Sequence, residues 1–247
     1  MSPVASRRNL PARSRTPSAQ QTKSEQTELK LLQTATWLFS ERGFHGTSIR
    51  DIADAAEVAV SALYYYTNSK DRLLEEIMRR SLGVLTSSAE AAVDGFGEPA
   101  ERLALLVGSH AVFHARNPRS AAVTDHEFTA LSGKVRREIL GLRDNYEALW
   151  KSVCEAGVRD GTFAERGSVA RLALLQMTTG IAHWYRARGE LGVPELWEQF
   201  ATMSLSLMGA ERDGERLTFA SLELPAAELL IDRAHLPIEP RRKPSGI

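Results

Sequence analysis

Two clusters of side chains in this sequence have the types and spacing to do chemistry. Tyr64, Tyr65 and Tyr66 follow Leu63 directly, and Lys70 comes shortly after. Successive helical residues rotate by about 100°, so Tyr65 lies nearly opposite Leu63 and points away from any core that Leu63 fills. An exposed ring with a hydroxyl on a short helix suits contact with a phosphate or a thymine methyl group. The second cluster is rich in histidine. His110 and His114, spaced i, i+4, share one helical face, and Asp125, His126, Glu127 and His183 add further imidazoles and carboxylates. Such donors suit zinc or another divalent ion. No HExxH or Cys-His pattern sets their geometry, so they read better as hydrogen-bonded polar groups of a pocket, and neither metal nor cofactor is expected. Covalent catalysis has no carrier: there is no G-x-S-x-G turn, no phosphate-binding glycine loop and no Cys beside a His. The single cysteine, Cys154, reads as a small buried hydrophobe. The chain does not read as an enzyme.

The tyrosines need elements to position them. Ile49, Ile52, Ala53 and Ala56 recur at three- and four-residue spacing, one apolar stripe on a helix, with Thr47 and Ser48 ahead of it as candidate caps. Val58 and Leu63 give the apolar side of a second short helix, about Ala59 to Tyr66, and Ser69 caps the next. Two short helices joined by a tight turn form a helix-turn-helix, which lays its second helix in the DNA major groove. A helix from Ser24 to Arg42 precedes them, stopped by Gly43, and a long helix from Ser69 to about Asp94 follows. Further helices are expected from Pro99 to about Asn117, Pro118 to Leu131, Lys134 to Val158 and Pro194 to Met208. Ser168–Arg188 is apolar almost all round, as for a central or interface helix. Only Leu217–Leu222 hints at a period of two, and Pro225–Ala234 suits a short helix. The fold class is all-α.

The run LLQTATWLFSERGFHGTSIRDIA from Leu31, then V-x-x-x-x-L-Y-Y-Y at Val58–Tyr66, then N-S-K-D at Asn68–Asp71, resembles the DNA-binding domain of the TetR (tetracycline-repressor) family over Leu29–Leu74. The resemblance implies double-stranded operator DNA as partner. Thr47, Tyr64 and Lys70 would touch phosphates; Val60, Ser61, Ala62 and Tyr65 would approach base edges, with Arg50 reaching in from the preceding helix and Tyr66 beside them. Three positions depart from the family pattern: Glu57 stands where the turn usually has Gly, Ala59 where the recognition helix usually has a Ser or Thr cap, and Thr67 where an aromatic or Val is usual. In the second half, LRDNYEALW at Leu142–Trp150, GVRDGTF at Gly157–Phe163 and HWYRARGELGVPELWEQF at His183–Phe200 resemble the family's ligand domains, especially an acyl-CoA- or lipid-responsive branch. That likeness implies a homodimer and an apolar small-molecule effector with one polar or anionic end, such as an acyl-CoA. Its pocket is expected at His110, Phe113, His114, Glu127, Tyr146, Trp150, Gln176, His183 and Trp184.

Composition fits this reading without announcing it. The chain has 247 residues, 43% hydrophobic and 25% charged, with no net charge. Residues 1–24 carry Arg7, Arg8, Arg13, Arg15 and Lys23 and no acid, whereas residues 25–80 carry seven Lys or Arg against nine Asp or Glu. A basic leader thus precedes a slightly acidic helix-turn-helix body, and it reads as solvated chain ahead of an electrostatic arm. No apolar run suits a membrane span and the N-terminus lacks a signal-peptide core, so a cytoplasmic regulator is expected, nucleoid-associated when bound to DNA. The expected divisions are a leader at 1–23, a DNA-binding domain at 24–80, a ligand and dimerisation domain at 81–209, and an extension at 210–247. The apolar faces of Ser168–Arg188 and Pro194–Met208, with Trp197 and Leu205 of the latter, are expected at the dimer seam. The reading is a DNA-binding transcriptional regulator, a repressor released by ligand. Two others stay open on the sequence: a ligand-independent or partner-responsive protein of the same fold, and an α-helical enzyme or carrier.

Overall fold

The computed structural model describes residues 19–241 and 243. Most of the basic leader and the end of the PRRKPSGI tail lie outside them. Among the described residues the regular structure is eleven α-helices, two 3₁₀ turns and one two-stranded hairpin, an all-α fold. The first four helices close a small core. They are α1 (Ala19–Arg42), α2 (Ile49–Ala55), α3 (Val60–Tyr66) and α4 (Lys70–Val93). Leu31, Leu38 and Phe39 of α1, Ile52 and Ala53 of α2, Leu63 of α3 and Leu74 and Ile77 of α4 are all buried there. Gly43 ends α1 at φ 74°, the left-handed conformation that glycine adopts freely.

Helix α4 then runs into the second body, with α5 (Pro99–Arg116), α6 (Pro118–His126), α7 (Gly133–Asp160), α8 (Gly167–Thr179), α9 (Ile181–Trp184) and α10 (Val193–Met208). The central helix is α5, buried from Leu103 to Ala115 and packed by α4, α7, α8 and α10. Ser168–Arg188, expected either at the centre or in an interface, is not the central helix. That segment breaks at Gly180, where the Thr178 hydroxyl donates back to the carbonyls of Leu174 and Leu175, and Val169 and Leu172 face outward. The Pro118–Leu131 helix is also shorter than expected: α6 stops at His126 and a 3₁₀ turn covers Glu127–Ala130.

The expected seam residues Trp197 and Leu205 are corrected by the fold, which buries both inside their own chain. Gly108 explains why for Trp197. A Cβ there would lie 2.4 Å from the Trp197 Nε1, so the missing side chain lets the indole sit on α5 and donate to the Ala104 carbonyl at 2.8 Å. Beyond α10, β1 (Glu211–Arg212) pairs antiparallel with β2 (Glu215–Arg216), and Leu217–Leu222 forms a 3₁₀ turn at Phe219–Ser221 rather than a strand. The last helix, α11 (Glu228–Arg233), packs on α5 and α4. No helix among the described residues is long and apolar enough to cross a membrane.

Candidate DNA interface and effector cavity

Short helices need help at their ends, and α2 has it. Ser48 is its N-cap: the Ser48 hydroxyl accepts from the Asp51 amide at 3.1 Å while the Asp51 carboxylate accepts from the Ser48 amide at 2.7 Å. The Ser48 hydroxyl also donates to the Asp51 carboxylate, and with the Ser48 amide it holds that carboxyl below its ordinary value. The turn into α3 places Glu57 at φ 54°, the left-handed position where the family prefers glycine, and Lys30 pairs with its carboxylate at 3.3 Å. Ala59 caps α3 with no side-chain hydrogen bond, and Thr67 at the other end donates to the Ser69 carbonyl. Ser69 in turn caps α4.

This frame buries Leu63 completely and leaves Tyr65 82% exposed. Ser61, Ala62, Tyr64 and Arg50 are exposed too, while Val60 and Tyr66 are half-buried against the core. Two expected phosphate contacts sit differently. Thr47 is buried and its hydroxyl turns inward to the carbonyls of Gly43 and Leu38, so the side chain does not face solvent. Lys70 points its ammonium at the carbonyls of Phe44 (2.8 Å) and Thr47 (2.9 Å), over the Phe44 ring. It clamps the start of α4 to the turn before α2.

A cavity of about 500 Å³ opens between α4, α5, α6, α7 and α8. Six of the nine expected pocket residues line it: His110, Phe113, His114, Tyr146, Gln176 and His183. Trp150 is fully buried behind His110, its ring edge-on to the imidazole. Trp184 lies outside, half-exposed and stacked on Phe200, and Glu127 lies beside Gly43 at the join to α1. The sequence missed Ser81, Leu82 and Leu85 of α4, and Arg143 and Thr179. For Ser81 the only cue was a hydroxyl on the buried stripe of α4.

The inner wall is a chain of neutral polar groups. The His110 ring bonds the Tyr146 hydroxyl through Nδ1 (2.8 Å) and the Thr179 hydroxyl through Nε2 (3.1 Å). His114 stacks on it and donates from Nδ1 to the His110 carbonyl. Burial pushes both imidazoles below their ordinary value, His110 well below, and raises the Tyr146 phenol, so all three stay uncharged. The charged groups stand in pairs, Arg143 with Asp125 and Arg171 with Glu147. Cys154 is elsewhere, buried, its thiol raised by that burial to about 11.

A cavity beside a helix-turn-helix is a combination that known proteins share. Residues 31–77 match bacterial regulatory proteins of the tetR family, and residues 97–208 match the tetracyclin repressor-like C-terminal domain. The transcriptional repressor KstR2 of Rhodococcus jostii (strain RHA1) is 31% identical over 179 residues, 71% of this chain and 88% of that protein. The chain belongs to the TetR family. TetR architecture extends to the solved KstR2 of Mycobacterium tuberculosis, a ketosteroid transcriptional regulator, at 26% identity and TM-score 0.67 over 75% of this chain and 95% of that one. AibR, solved with isovaleryl coenzyme A and operator DNA, shares the fold at TM-score 0.66 and 23% identity, over 72% of this chain and 97% of AibR. As a TetR protein the chain is a DNA-binding transcriptional regulator and not an enzyme. Its residues from 209 onward lie outside both family matches.

Proposed function

We propose that the protein is a homodimeric repressor that leaves its operator when an apolar, lipid-derived effector fills the cavity. One observation carries this: a single helix, α4, serves both sites. Ser81, Leu82 and Leu85 wall the cavity, while Lys70 at the other end holds the turn that precedes α2. A ligand that displaces α4 therefore moves the DNA-binding helices of its subunit. Half-sites lie about one DNA turn, roughly 34 Å, apart, so respacing the two recognition helices weakens binding to both at once. A hundredfold release needs about 2.7 kcal/mol of preference for the released state. Base contacts fall to Ser61, Ala62, Tyr65 and Arg50, and backbone contacts to Tyr64 and the α4 start. The dimer forms through exposed apolar residues of the adjacent helices α8 and α10, Val169, Leu172, Met203 and Leu207. Such a regulator works in the cytoplasm, on the nucleoid.

Proton counting sharpens the effector. The Thr179 hydroxyl, the neutral His110 ring and the Tyr146 hydroxyl bring one proton each, and two hydrogen bonds join them. Whichever tautomer His110 adopts, one hydroxyl proton is left to donate. The buried Ser81 hydroxyl, also on the cavity wall, has no partner either. Leftover donors call for an acceptor, and among the described residues the arginine on the cavity wall, Arg143, is already paired with Asp125. A carboxylate there would lack a counter-charge, which costs far more than a lost hydrogen bond. The inner end of the effector is therefore a neutral carbonyl, as in a thioester or ketone, with an apolar body against Phe113, Leu82 and Leu175. Kinship with a ketosteroid regulator and, at 24% identity over 145 residues, with the fatty acid metabolism regulator protein of Bacillus subtilis supports an effector of this chemistry.

The test is release of the protein from operator DNA, recovered by sequencing the fragments it retains. Long-chain and ring-degradation acyl-CoAs should release it, their free acids should not, and Tyr146→Phe together with Ser81→Ala should blunt the response. Release by free acids as effective as their thioesters would overturn the neutral-carbonyl assignment. Release by none, or by a cationic drug alone, would overturn the effector reading.

A further inference from the structure

Helix α6 lacks a cap of its own. Its N-cap residue, Asn117, makes no side-chain capping hydrogen bond; the Asn117 amide group donates instead to the carbonyls of Phe113 and Ala234. The amides that open the helix, which have no partner within it, are satisfied from far along the chain. Glu239 accepts from the Ser120 amide at 2.9 Å and from the Arg119 amide at 3.2 Å. That carboxylate is 4% exposed; burial pushes its carboxyl up and the α6 amides pull it back. The segment delivering it is anchored throughout. Ser88 of α4 donates to the Arg233 carbonyl at 2.7 Å, Leu236 and Ile238 are buried, and Gln33 of α1 donates to the Pro237 carbonyl at 2.8 Å.

These contacts converge on one joint. Arg119, whose amide Glu239 holds, stacks its guanidinium on Trp37 of α1 at 3.8 Å and pairs with Glu41 at 2.9 Å. At the other end of the same short helix, Thr124, Asp125 and His126 line the cavity. So α6 touches the cavity at one end and the DNA-binding core at the other, and residues 234–239 hold it there. None of these six residues falls in a family match.

We propose that residues 234–239 are an intramolecular strap that seats α6 on α1 and thereby fixes the DNA-binding helices against the cavity. Without the strap, α6 loses both its cap and the neighbour that ties it to Gln33. The joint loosens, and the recognition helices of the dimer lose their fixed spacing. The consequence for regulation rests on the repressor reading above; the mechanical tie does not.

Amide hydrogen exchange on the full chain tests the tie without any effector. Glu239→Ala should speed exchange in residues 119–122 by about fivefold, the factor expected for a lost helix cap. It should also speed exchange in the Trp37–Glu41 turn of α1. Gln33→Ala, which leaves the cap in place, should speed exchange at residues 236–239 and in the first turn of α6 without lowering the melting temperature. This second variant decides the matter if Glu239→Ala proves unstable. Faster exchange confined to residues 228–241, with α6 and α1 at wild-type rates, would overturn the strap. Operator affinity measured without ligand should fall severalfold in both variants. If exchange changes as expected while operator affinity does not, the tie exists but does not set the DNA-binding geometry, and the proposal fails at that step.

Discussion

The ammonium of Lys70 has three donors, and the carbonyls of Phe44 and Thr47 take two of them. Its third proton is free to meet a phosphate, at the N-terminus of α4 where anions are favoured. Lys70→Ala should therefore do two things. It should lower stability by about 1.5–3 kcal/mol, the range for hydrogen bonds made by a charged group, and reduce the salt slope of operator binding by no more than about one. Tyr65 contrasts with it. Being 82% exposed, it should cost stability no more than about 0.5 kcal/mol when truncated to alanine. The Tyr65→Ala loss should fall on specificity, lowering the ratio of operator to non-operator affinity by the roughly 1–3 kcal/mol of a base contact. Melting curves beside anisotropy titrations on both duplexes, at two salt concentrations, separate the roles. A Lys70→Ala protein that melts like wild type would remove the clamp.

At the scale of the element, α3 forms under unfavourable local conditions. It is seven residues long, follows a non-glycine residue at φ 54° and starts at an alanine that cannot cap. A helix this short is not stable by itself in water. It holds because Leu63 is fully buried in the core and α3 packs on α2, while Ser48 and Ser69 cap the neighbouring helices. The backbone of Ala59, at φ −64° and ψ 141°, already has the extended geometry of an N-cap. Ala59→Ser should thus raise stability by about 1 kcal/mol with no change of fold. Urea denaturation measures this, and an unchanged midpoint would mean that the α3 N-terminus is satisfied in another way.

For the whole molecule, the proposed dimer uses the outward apolar residues of α8 and α10 as its seam. Val169 is 75% exposed and Leu207 41%, whereas Trp197 and Leu205 are enclosed within one subunit. Glutamate at Val169 or Leu207 should give a folded monomer that no longer holds two half-sites, so operator affinity should collapse while helical content stays. Glutamate at Trp197 should instead unfold the protein, since it removes a filled notch and leaves a charge in the core. Light scattering and circular dichroism distinguish the two patterns. A dimer that survives both surface substitutions would place the seam elsewhere.

What the sequence by itself determined is local and periodic. The 100° rotation of a helix put Leu63 inside and Tyr65 outside, Ser69 read as a cap, and the family resemblance singled out Glu57 as standing where the turn usually has glycine. The apolar sides of α2 and α3 could be read because an apolar face must be buried against something. A stripe does not say against what, and that was left to the tertiary structure. It decided that Trp197 lies on Gly108 of its own chain and not on a partner. It placed Ser81 and Thr179 on the cavity wall, and moved Trp150 behind that wall, Glu127 to the α1 joint and Trp184 to the surface. It also gave α6 a cap 119 residues away, in Glu239. Contacts between residues so distant in the chain depend on how whole helices cross, and no spacing within one helix carries that information.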